Sequence, residues 1–399
     1  MDNPLHHRDF RYYLTGRFLA LCASQMLGVG VGQYIYELTH SALHLGLIGL
    51  VLFLPKISFV LLAGHTADRF DRRAVILVCR LTQCVATLGL ILFARSGSHE
   101  LGWLYALLLL VGTANSFEGP ATQAIVPALV PAPIFSRAVA WNASVMQAAF
   151  IAGPALGGCL YAFGNVLGVF YAIATMRLLS AVLIALVRTR TGRMESAELS
   201  WQTLLAGLNY VFRTKVVLGT ISLDLFAVLF GGAVALMPIY ANDILRVGPS
   251  GLGILRAAPA AGAALMALFF AHRPPIQRAG SAMLGCVAMF GLATILFGIS
   301  HNFYFSLACL VILGASDMVS VVIRGVLVQM QTPPEMRGRV SAVNLVFIGA
   351  SNELGEFESG LTAAWFGTIP AVVLGGLGTL AVVALWAWRF PEVRAYRSP

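Results

Sequence analysis

Long apolar runs alternate with short polar segments along almost the whole chain. A helix needs about 20 apolar residues to cross a bilayer, whereas the strands of a membrane barrel would show about 10 residues of strict alternation. Twelve runs of helical length can be distinguished, so the pattern predicts an all-α membrane protein with twelve transmembrane helices. The predicted spans lie near residues 12–38, 43–66, 73–94, 101–126, 138–163, 167–188, 216–243, 248–272, 278–299, 302–330, 339–366 and 369–389.

The twelve predicted spans fall into two sets of six, separated by a more polar linker. Residues 1–190 form the predicted N-terminal six-helix bundle, residues 191–215 a cytoplasmic linker, and residues 216–399 the C-terminal six-helix bundle. Within the linker, Ser200–Thr214 mixes Trp, Leu, Tyr, Val and Phe with polar residues. This mixture is typical of an amphipathic helix that lies on the inner membrane surface.

The two predicted bundles repeat each other at an offset of 202 residues. A shift by six spans returns the chain to the same side of the membrane, so the halves are parallel repeats related by a pseudo-two-fold axis along the membrane normal. Membrane transporters built from such repeats place the substrate site near the midplane, between the halves. The matching pairs are Pro131 and Pro333, Arg137 and Arg339, Ala140 and Ala342, Asn142 and Asn344, Gly153 and Gly355, and Gly158 and Gly360.

Composition and charge agree with a membrane protein. The chain is 58% hydrophobic and 11% charged, with a mean hydropathy of +0.82, whereas globular domains carry about 25% charged residues. The net charge of +9 does not indicate nucleic-acid binding, because the basic residues follow the positive-inside rule. With the N-terminus inside, the inner segments hold 18 Lys and Arg residues, the outer segments hold two, Arg95 and Arg246, and the spans hold six. We therefore expect both termini to be cytoplasmic.

Nothing in the sequence predicts a metal site or a cofactor. The six cysteines lie in or beside apolar runs without Cys-x-x-Cys spacing, which disfavours disulfides and metal clusters. His40 and His44 are four residues apart in an outer turn that lacks further ligand residues, so solvated loop histidines are the favoured interpretation. The chain also lacks a nucleophile motif and a phosphate-binding loop, so we do not expect an enzyme.

The most specific motif is a short charged loop between the second and third predicted spans, Gly64-His-Thr-Ala-Asp-Arg-Phe-Asp-Arg-Arg73. It resembles the corresponding loop of the major facilitator superfamily of secondary transporters. The resemblance implies a latch that holds the two halves together in one state, with Asp68 at its centre. The alternative is that the arginines only fix the topology. Two departures are visible: Asp71 replaces the usual glycine, and the equivalent loop near Ala271–Arg278 has no acid. The latch residues implied are Gly64, Asp68, Arg69, Arg72 and Arg73.

Four further segments resemble the superfamily branch that contains enterobactin-type siderophore exporters. They are Gly119–Pro131, Gly153–Gly158, Arg337–Asn344 and Asn352–Gly360. The resemblance implies proton-driven efflux of a small molecule. The second segment is also similar to the fifth-helix motif of antiporters, in which small residues permit close helix approach and the proline favours a bend. Packing alone is the other interpretation of this motif, whose residues are Gly153, Pro154, Gly157 and Gly158.

Carboxylates within the predicted spans are costly, since an acid at mid-helix costs about 2.5–3.5 kcal/mol on insertion scales. Such residues usually face a cavity, and a pair that shares a helix face, such as Glu353 and Glu356, should ionise one group at a time. We therefore expect at least one of them to bind the coupling proton, although structural ion pairs and helix capping are the alternative. The proton-coupling candidates are Asp224, Asp317, Glu353, Glu356 and Glu358.

Cations within the spans are a second set of candidates. A deep Lys or Arg needs an acid, a carbonyl group or an anionic substrate as its partner. Such cations could line a substrate cavity, and neutralisation by the acids of the spans is the alternative. Arg17 and Arg80 lie nearer the inner ends of their spans and are expected to snorkel to the membrane surface. The substrate-cavity candidates are the cations Lys56, Arg177, Arg256 and Arg324, together with the acid Glu118.

These observations together predict a secondary active transporter that works by alternating access. The favoured activity is proton-coupled efflux of a siderophore-like or other amphiphilic small molecule. A drug or lysolipid transporter, an importer of a small metal chelate and a non-transporting membrane sensor are the alternatives. We expect a monomer in the bacterial inner membrane, with a small-molecule substrate, protons and the lipid bilayer as its partners, and with no cofactor.

Overall fold

The computed structural model describes residues 3–189, 201–271 and 276–396. This part of the chain is almost entirely helical and contains no strand, which confirms the all-α fold class. The helices are α1 (Arg8–Thr39), α2 (Ala42–Ser58), α3 (Val60–Arg69), α4 (Arg72–Ser96), α5 (Leu101–Leu129), α6 (Phe135–Leu186), α7 (Trp201–Arg213), α8 (Lys215–Phe230), α9 (Met237–Ile239), α10 (Gly248–Ala271), α11 (Ala279–Gly298), α12 (Phe303–Gln331), α13 (Arg337–Phe366), α14 (Thr368–Arg389) and α15 (Pro391–Ala395).

Nine helical segments of the described residues are long and apolar enough to cross a bilayer. The helices α2 and α3 form a tenth span that is bent by 56° at Phe59. The 52-residue α6 leaves helical geometry at Asn165, with φ 53° and ψ −166°, and this break divides it into two spans. The 30-residue α13 is also long enough to cross, although its three glutamates make it more polar. Counted in this way, the described residues agree with about the expected twelve spans.

Two of the spans contain breaks that the apolar pattern did not predict. Pro55 lies in the last turn of α2, four residues before the break at Phe59. Proline lacks the N–H that a helix needs and crowds the carbonyl of the preceding turn. The seventh span leaves α-helical geometry after α8, at Gly231, and continues through a 3-10 turn, α9 and a π-helical turn that ends at Ile244. Both breaks lie inside continuous apolar runs, so hydropathy alone could not reveal them.

The chain folds into two compact units. The first comprises Met1–Leu38, Val51–Leu199 and Pro249–Gly253. Its core packs apolar side chains of α1, α4, α5 and α6 together, including Phe10, Ile76 and Ile125. The second unit comprises Thr39–Leu50, Ser200–Gly248 and Ile254–Pro399. Its cores are built mainly from α8, α11, α12, α13 and α14.

Close glycine contacts explain why each unit includes a short segment from another part of the sequence. In the first unit, a Cβ added to Gly158 of α6 would lie 2.5 Å from the carbonyl oxygen of Pro249 and 2.7 Å from Cα of Gly253. In the second unit, a Cβ added to Gly360 of α13 would lie 2.5 Å from Cα of Gly46 in α2. Such approach of two helix backbones is typical of small-residue motifs in membrane helices. Gly158 and Gly360 are equivalent at the 202-residue offset.

The linker helix α7 packs within the second unit. The Tyr210 hydroxyl donates to the carbonyl oxygen of Gln331 at 2.6 Å, and Gly207 lies against the backbone of Arg339. Leu205 and Phe212 are exposed on another face of α7. An amphipathic helix was expected in this segment, and the structure has the helix α7 there. Residues 190–200, 272–275 and 397–399 lie outside the described residues, and with them the expected inner arginines Arg190, Arg193, Arg273 and Arg397.

Candidate functional site

The charged loop of the first unit forms a capped turn between α3 and α4. The helix α3 ends at Arg69, and Asp71 Oδ1 accepts a hydrogen bond from the backbone N–H of Arg73 at 3.2 Å. Asp71 is therefore the N-cap of α4. An aspartate at this position satisfies one of the free N–H groups at a helix start. This turn accounts for the replacement of the family's usual glycine by Asp71.

Two arginines of this loop bind the ends of neighbouring helices. Arg72 donates to the carbonyl oxygens of Ala67 and Ala124 at 3.3 and 3.0 Å. Arg73 donates to the carbonyl oxygens of Ile184, at 3.3 Å, and of Ala185. Both of these carbonyls belong to the last turn of α6, where a cation is favoured by the helix dipole. The two arginines thus have structural roles, since they join α3, α5 and α6.

The remaining latch candidates make fewer contacts. Gly64 is buried within α3, and Arg69 is exposed. Asp68 is half-buried and has no hydrogen-bond or ion-pair partner in the described part of the chain. A latch role for these residues stays a prediction.

The glycine and proline motif of α6 is a packing surface. A Cβ on Gly153 would lie 2.6 Å from Cβ of Gln25, and a Cβ on Gly157 would lie 3.2 Å from Cα of Met26, both on α1. Helical dihedral angles continue through Pro154, and the backbone leaves them only at Asn165. Close packing is thus observed, while a transport-related bend at Pro154 stays a prediction.

A buried polar cluster occupies the interior of the first unit. Arg80 of α4 forms an ion pair with Glu118 of α5 at 3.1 Å and donates to the carbonyl oxygen of Ser180 at 3.0 Å. The Gln83 amide donates to Glu118 at 2.8 Å and to Asn115 at 2.9 Å. Arg80 is only 1% exposed, so the expectation that it snorkels is wrong. Arg80 stays buried because the carboxylate of Glu118 is a nearer partner than the membrane surface.

Arg177 joins the same cluster from the second half of α6. It donates to the carbonyl oxygen of Gln83 at 2.9 Å and to the Thr87 hydroxyl at 2.5 Å. At 1% exposure it does not line an open cavity. At the edge of the cluster, Arg17 donates to the Tyr13 hydroxyl at 3.0 Å. Gln83 was not predicted from the sequence, although its position three residues after Arg80 places both side chains on one helix face.

The second unit contains a buried ion pair between Asp224 of α8 and Arg324 of α12. Their side chains are 9% and 4% exposed. In such surroundings neither partner has access to water, so loss of one partner would leave an uncompensated buried charge. Asp224 and Arg324 therefore neutralise each other, as the alternative interpretation of the buried acids and cations anticipated.

Asp317 lies beside this pair but has a different environment. It occupies the centre of α12, fourteen residues from either end, or about 21 Å at 1.5 Å per residue. With Asp224, Ser316 and Ser320 it lines a cavity of about 10 Å³, and Phe290 and other apolar side chains form the rest of the lining. Within the described residues, the Asp317 carboxylate has no hydrogen-bond or ion-pair partner.

The three glutamates of α13 lie in mixed surroundings. Glu356 interacts electrostatically with Arg256, which is half-buried in α10. Glu358 accepts a hydrogen bond from the Thr362 hydroxyl at 2.7 Å. Gly49 of α2 packs closely on this stretch, because a Cβ there would lie 2.7 Å from the carbonyl oxygen of Glu353 and 2.8 Å from Cβ of Glu356.

Two groups of candidates lie in polar clusters, one inside each unit. Lys56 is half-buried in the last turn of α2. At the 202-residue offset, Asn115 corresponds to Asp317 and Glu118 corresponds to Ser320. The same level of the repeat is polar in both units. Arg80 neutralises Glu118 in the first unit, whereas Asp317 in the second unit has no ion-pair partner among the described residues.

Comparisons with known proteins agree with this architecture. The sequence model of the Major Facilitator Superfamily matches residues 13–356. The enterobactin exporter EntS of Escherichia coli O1:K1 / APEC is 26% identical over 392 residues, which cover 98% of this chain and 94% of the exporter. The enterobactin exporter EntS of Shigella boydii serotype 18 matches with the same identity and coverage.

Solved structures of transporters share the fold. A bacterial homologue of the human lysosomal transporter Spinster has a TM-score of 0.77 at 15% identity and covers 100% of both chains. A bacterial homologue of the iron transporter ferroportin has a TM-score of 0.72 at 17% identity, covering 98% of this chain and 99% of its own. At these identities the likeness concerns the fold alone.

The family match includes both polar sites up to Glu356, and the helical architecture is that of a multi-pass membrane protein. The relatives and the fold are those of transporters rather than enzymes, and they support a small-molecule substrate. This chain belongs to the major facilitator superfamily.

Proposed function

We propose that this protein is a proton-coupled exporter of a siderophore-like or other amphiphilic anion, and that it works by alternating access. Two features support the proposal. The chain is similar over 98% of its length to exporters of enterobactin, and it has a solitary carboxylate at the centre of a membrane helix. The second feature is the observation on which proton coupling rests.

Asp317 has the surroundings that a proton carrier requires. A charged carboxylate near the middle of a bilayer is costly, whereas the neutral acid is tolerated, so solitary acids there bind a proton readily. The hydroxyl groups of Ser316 and Ser320 line the same cavity, which is about large enough for one water molecule. We infer that Asp317 takes up a proton in one state of the transport cycle and releases it in the other.

The other acids are less suited to carry the proton. Glu118 and Asp224 are each paired with an arginine, and Glu356 interacts with Arg256. An arginine partner favours the charged carboxylate, which then does not exchange protons during the cycle. Glu353 and Glu358 are the remaining alternatives on α13.

The cargo is inferred from the similarity of this chain to exporters of enterobactin. We further propose that the protein is a monomer in the inner membrane of a bacterium, with both termini in the cytoplasm. The loop around Asp68 would then act on the cytoplasmic side, and opening of that side would break the latch.

Transport by inside-out membrane vesicles tests this function. The lumen of such vesicles corresponds to the outside of the cell, so an exporter that exchanges cargo for protons should accumulate cargo when the lumen is acidic. We expect uptake of a radiolabelled catecholate siderophore to depend on the gradient and to stop when a protonophore is added. Uptake of only a cationic dye or a lysolipid would reassign the cargo, and uptake driven by an alkaline lumen would indicate import. Absence of flux for all three cargo classes would contradict the proposed function.

A further inference from the structure

The polar cluster of the first unit contains more positive than negative charge. Three arginines contribute to it: Arg17 of α1, Arg80 of α4 and Arg177 of α6. Among the described residues, Glu118 is the only carboxylate that hydrogen-bonds any of them. Tyr13, which binds Arg17, also interacts electrostatically with Arg80 and with Glu118. Three guanidinium groups and one carboxylate leave a formal excess of two positive charges.

The same arginines have N–H groups without acceptors. These are Nε of Arg17, Nη2 of Arg80, and both Nε and Nη2 of Arg177, all buried and unpartnered in the described part of the chain. Buried polar atoms in folded proteins almost always have a hydrogen-bond partner, so each exception needs an explanation. Here the unpartnered N–H groups belong to neighbouring arginine side chains. Two of these, Arg80 and Arg177, are only 1% exposed.

A water molecule could accept these hydrogen bonds but could not neutralise the charge. A cation inside a membrane bundle needs an acid, a carbonyl group or an anion as its partner. The carboxylate and carbonyl partners of these arginines leave several of their N–H groups unused, and arginine cannot lose its proton in a protein. An anion accepts these hydrogen bonds and also reduces the excess of positive charge. We propose that Arg17, Arg80 and Arg177 form a binding site for a small monovalent anionic group inside the first unit. The inference goes beyond the proposed export function, because the site would bind an anion whichever cargo is carried.

The surroundings restrict the size of the anion. Gly16 packs on Arg80, since a Cβ there would lie 3.0 Å from its Nη1, and Ser180 donates to the Gly16 carbonyl oxygen at 2.5 Å. Tyr13 is fully buried at the same level. Arg17 and Glu118, by contrast, are partly exposed and form the accessible edge of the cluster. This packing restricts the anion we propose to a halide or to the carboxylate or phenolate group of a larger cargo molecule that enters beside Arg17.

Thermal unfolding of the purified full-length protein in detergent tests the site. The protein is measured in sodium gluconate, whose hydrated polyhydroxyl chain disfavours entry between apolar helices, and then titrated at constant ionic strength with sodium chloride or with sodium salicylate. We expect the unfolding midpoint to rise with at least one of the two small anions. Stabilisation by chloride assigns the site to an inorganic halide, and stabilisation by salicylate alone assigns it to the anionic group of a cargo molecule.

Two variants connect the effect to the cluster. Arg177→Gln removes one buried charge, and the apparent Kd of the stabilising anion should rise about tenfold or more, as expected for loss of one charge-assisted hydrogen bond. Arg17→Gln, at the partly exposed edge, provides the same test if Arg177→Gln does not fold. Arg11→Gln is the matched control, because Arg11 is exposed on the same helix as Arg17 and should retain the wild-type response.

Equal midpoints in gluconate, chloride and salicylate would overturn the inference. An undiminished response in a folded Arg177→Gln or Arg17→Gln protein would also overturn it, because the anion would then act elsewhere. Neither result bears on export, which is measured separately as flux in vesicles.

Discussion

Replacing Asp224 with Leu leaves the buried guanidinium of Arg324 without its ion-pair partner. Both side chains are less than 10% exposed, so solvent screens their interaction very little. Two opposite charges about 4 Å apart attract each other by about 4 kcal/mol at an effective dielectric constant of about 20. Removing one partner of a buried pair typically costs about 3–5 kcal/mol. We therefore expect Asp224→Leu to lower the free energy of unfolding by about 3–5 kcal/mol.

The reciprocal change should cost less. Arg324→Met leaves a buried carboxylate, which can become neutral by binding a proton, whereas the arginine left by Asp224→Leu cannot lose its charge. The double variant Asp224→Leu/Arg324→Met has neither charge, and replacing a buried ion pair by apolar side chains of similar volume is often close to neutral. The expected order of stability is wild type and double variant, then Arg324→Met, then Asp224→Leu.

Unfolding of the four purified proteins in mixed micelles measures this order as a double-mutant cycle. A wild-type midpoint for Asp224→Leu would contradict the buried ion pair. So would a double variant less stable than Asp224→Leu, because the energetic cost would then arise from lost packing and not from an uncompensated charge.

Three further predictions concern packing, capping and the loop. Gly158→Ala places a methyl group 2.5 Å from the Pro249 carbonyl oxygen and should destabilise the protein by about 1–3 kcal/mol. The control Gly164→Ala, whose added Cβ has nothing within 4 Å, should leave the midpoint of thermal unfolding unchanged. Equal midpoints for the two variants would refute the close packing. Asp71→Ala removes the N-cap of α4 and should cost about 1 kcal/mol in chemical unfolding, while Asp71→Asn, which also caps, should not; a neutral Asp71→Ala would reject the cap. Asp68→Asn should slow flux in proteoliposomes without reducing the amount of folded protein, and an unchanged rate would reject the latch.

The main features of the fold could be predicted from the sequence because they depend on regular patterns. The spans could be predicted from apolar runs of helical length. Gly158 and Gly360 are equivalent in the repeat, and each of them makes a close backbone contact within its own unit. The breaks at Phe59 and after Gly231 were not predicted. They depend on the backbone geometry of a few residues, and this geometry does not change the hydropathy averaged along the span.

The candidate sites were harder to predict, since the partner of each charge lies on another helix. A buried arginine at the inner end of a span is expected to snorkel, but Arg80 instead meets Glu118, 38 residues away in the sequence. The sequence identified Asp224, Asp317 and Arg324 as costly residues but could not pair them. Only tertiary packing distinguishes Asp224, which is paired with Arg324, from Asp317, which has no partner in the part of the chain that the structure describes.

The most direct test of proton coupling compares two modes of transport in proteoliposomes that contain Asp317→Asn. Asparagine has nearly the same shape as aspartate but cannot carry a proton in this way. We expect the variant to retain cargo exchange at equal pH, which needs no net proton movement, and to lose cargo accumulation driven by a pH gradient. If Asp317→Asn accumulates cargo under a pH gradient as the wild type does, Asp317 is not the proton carrier.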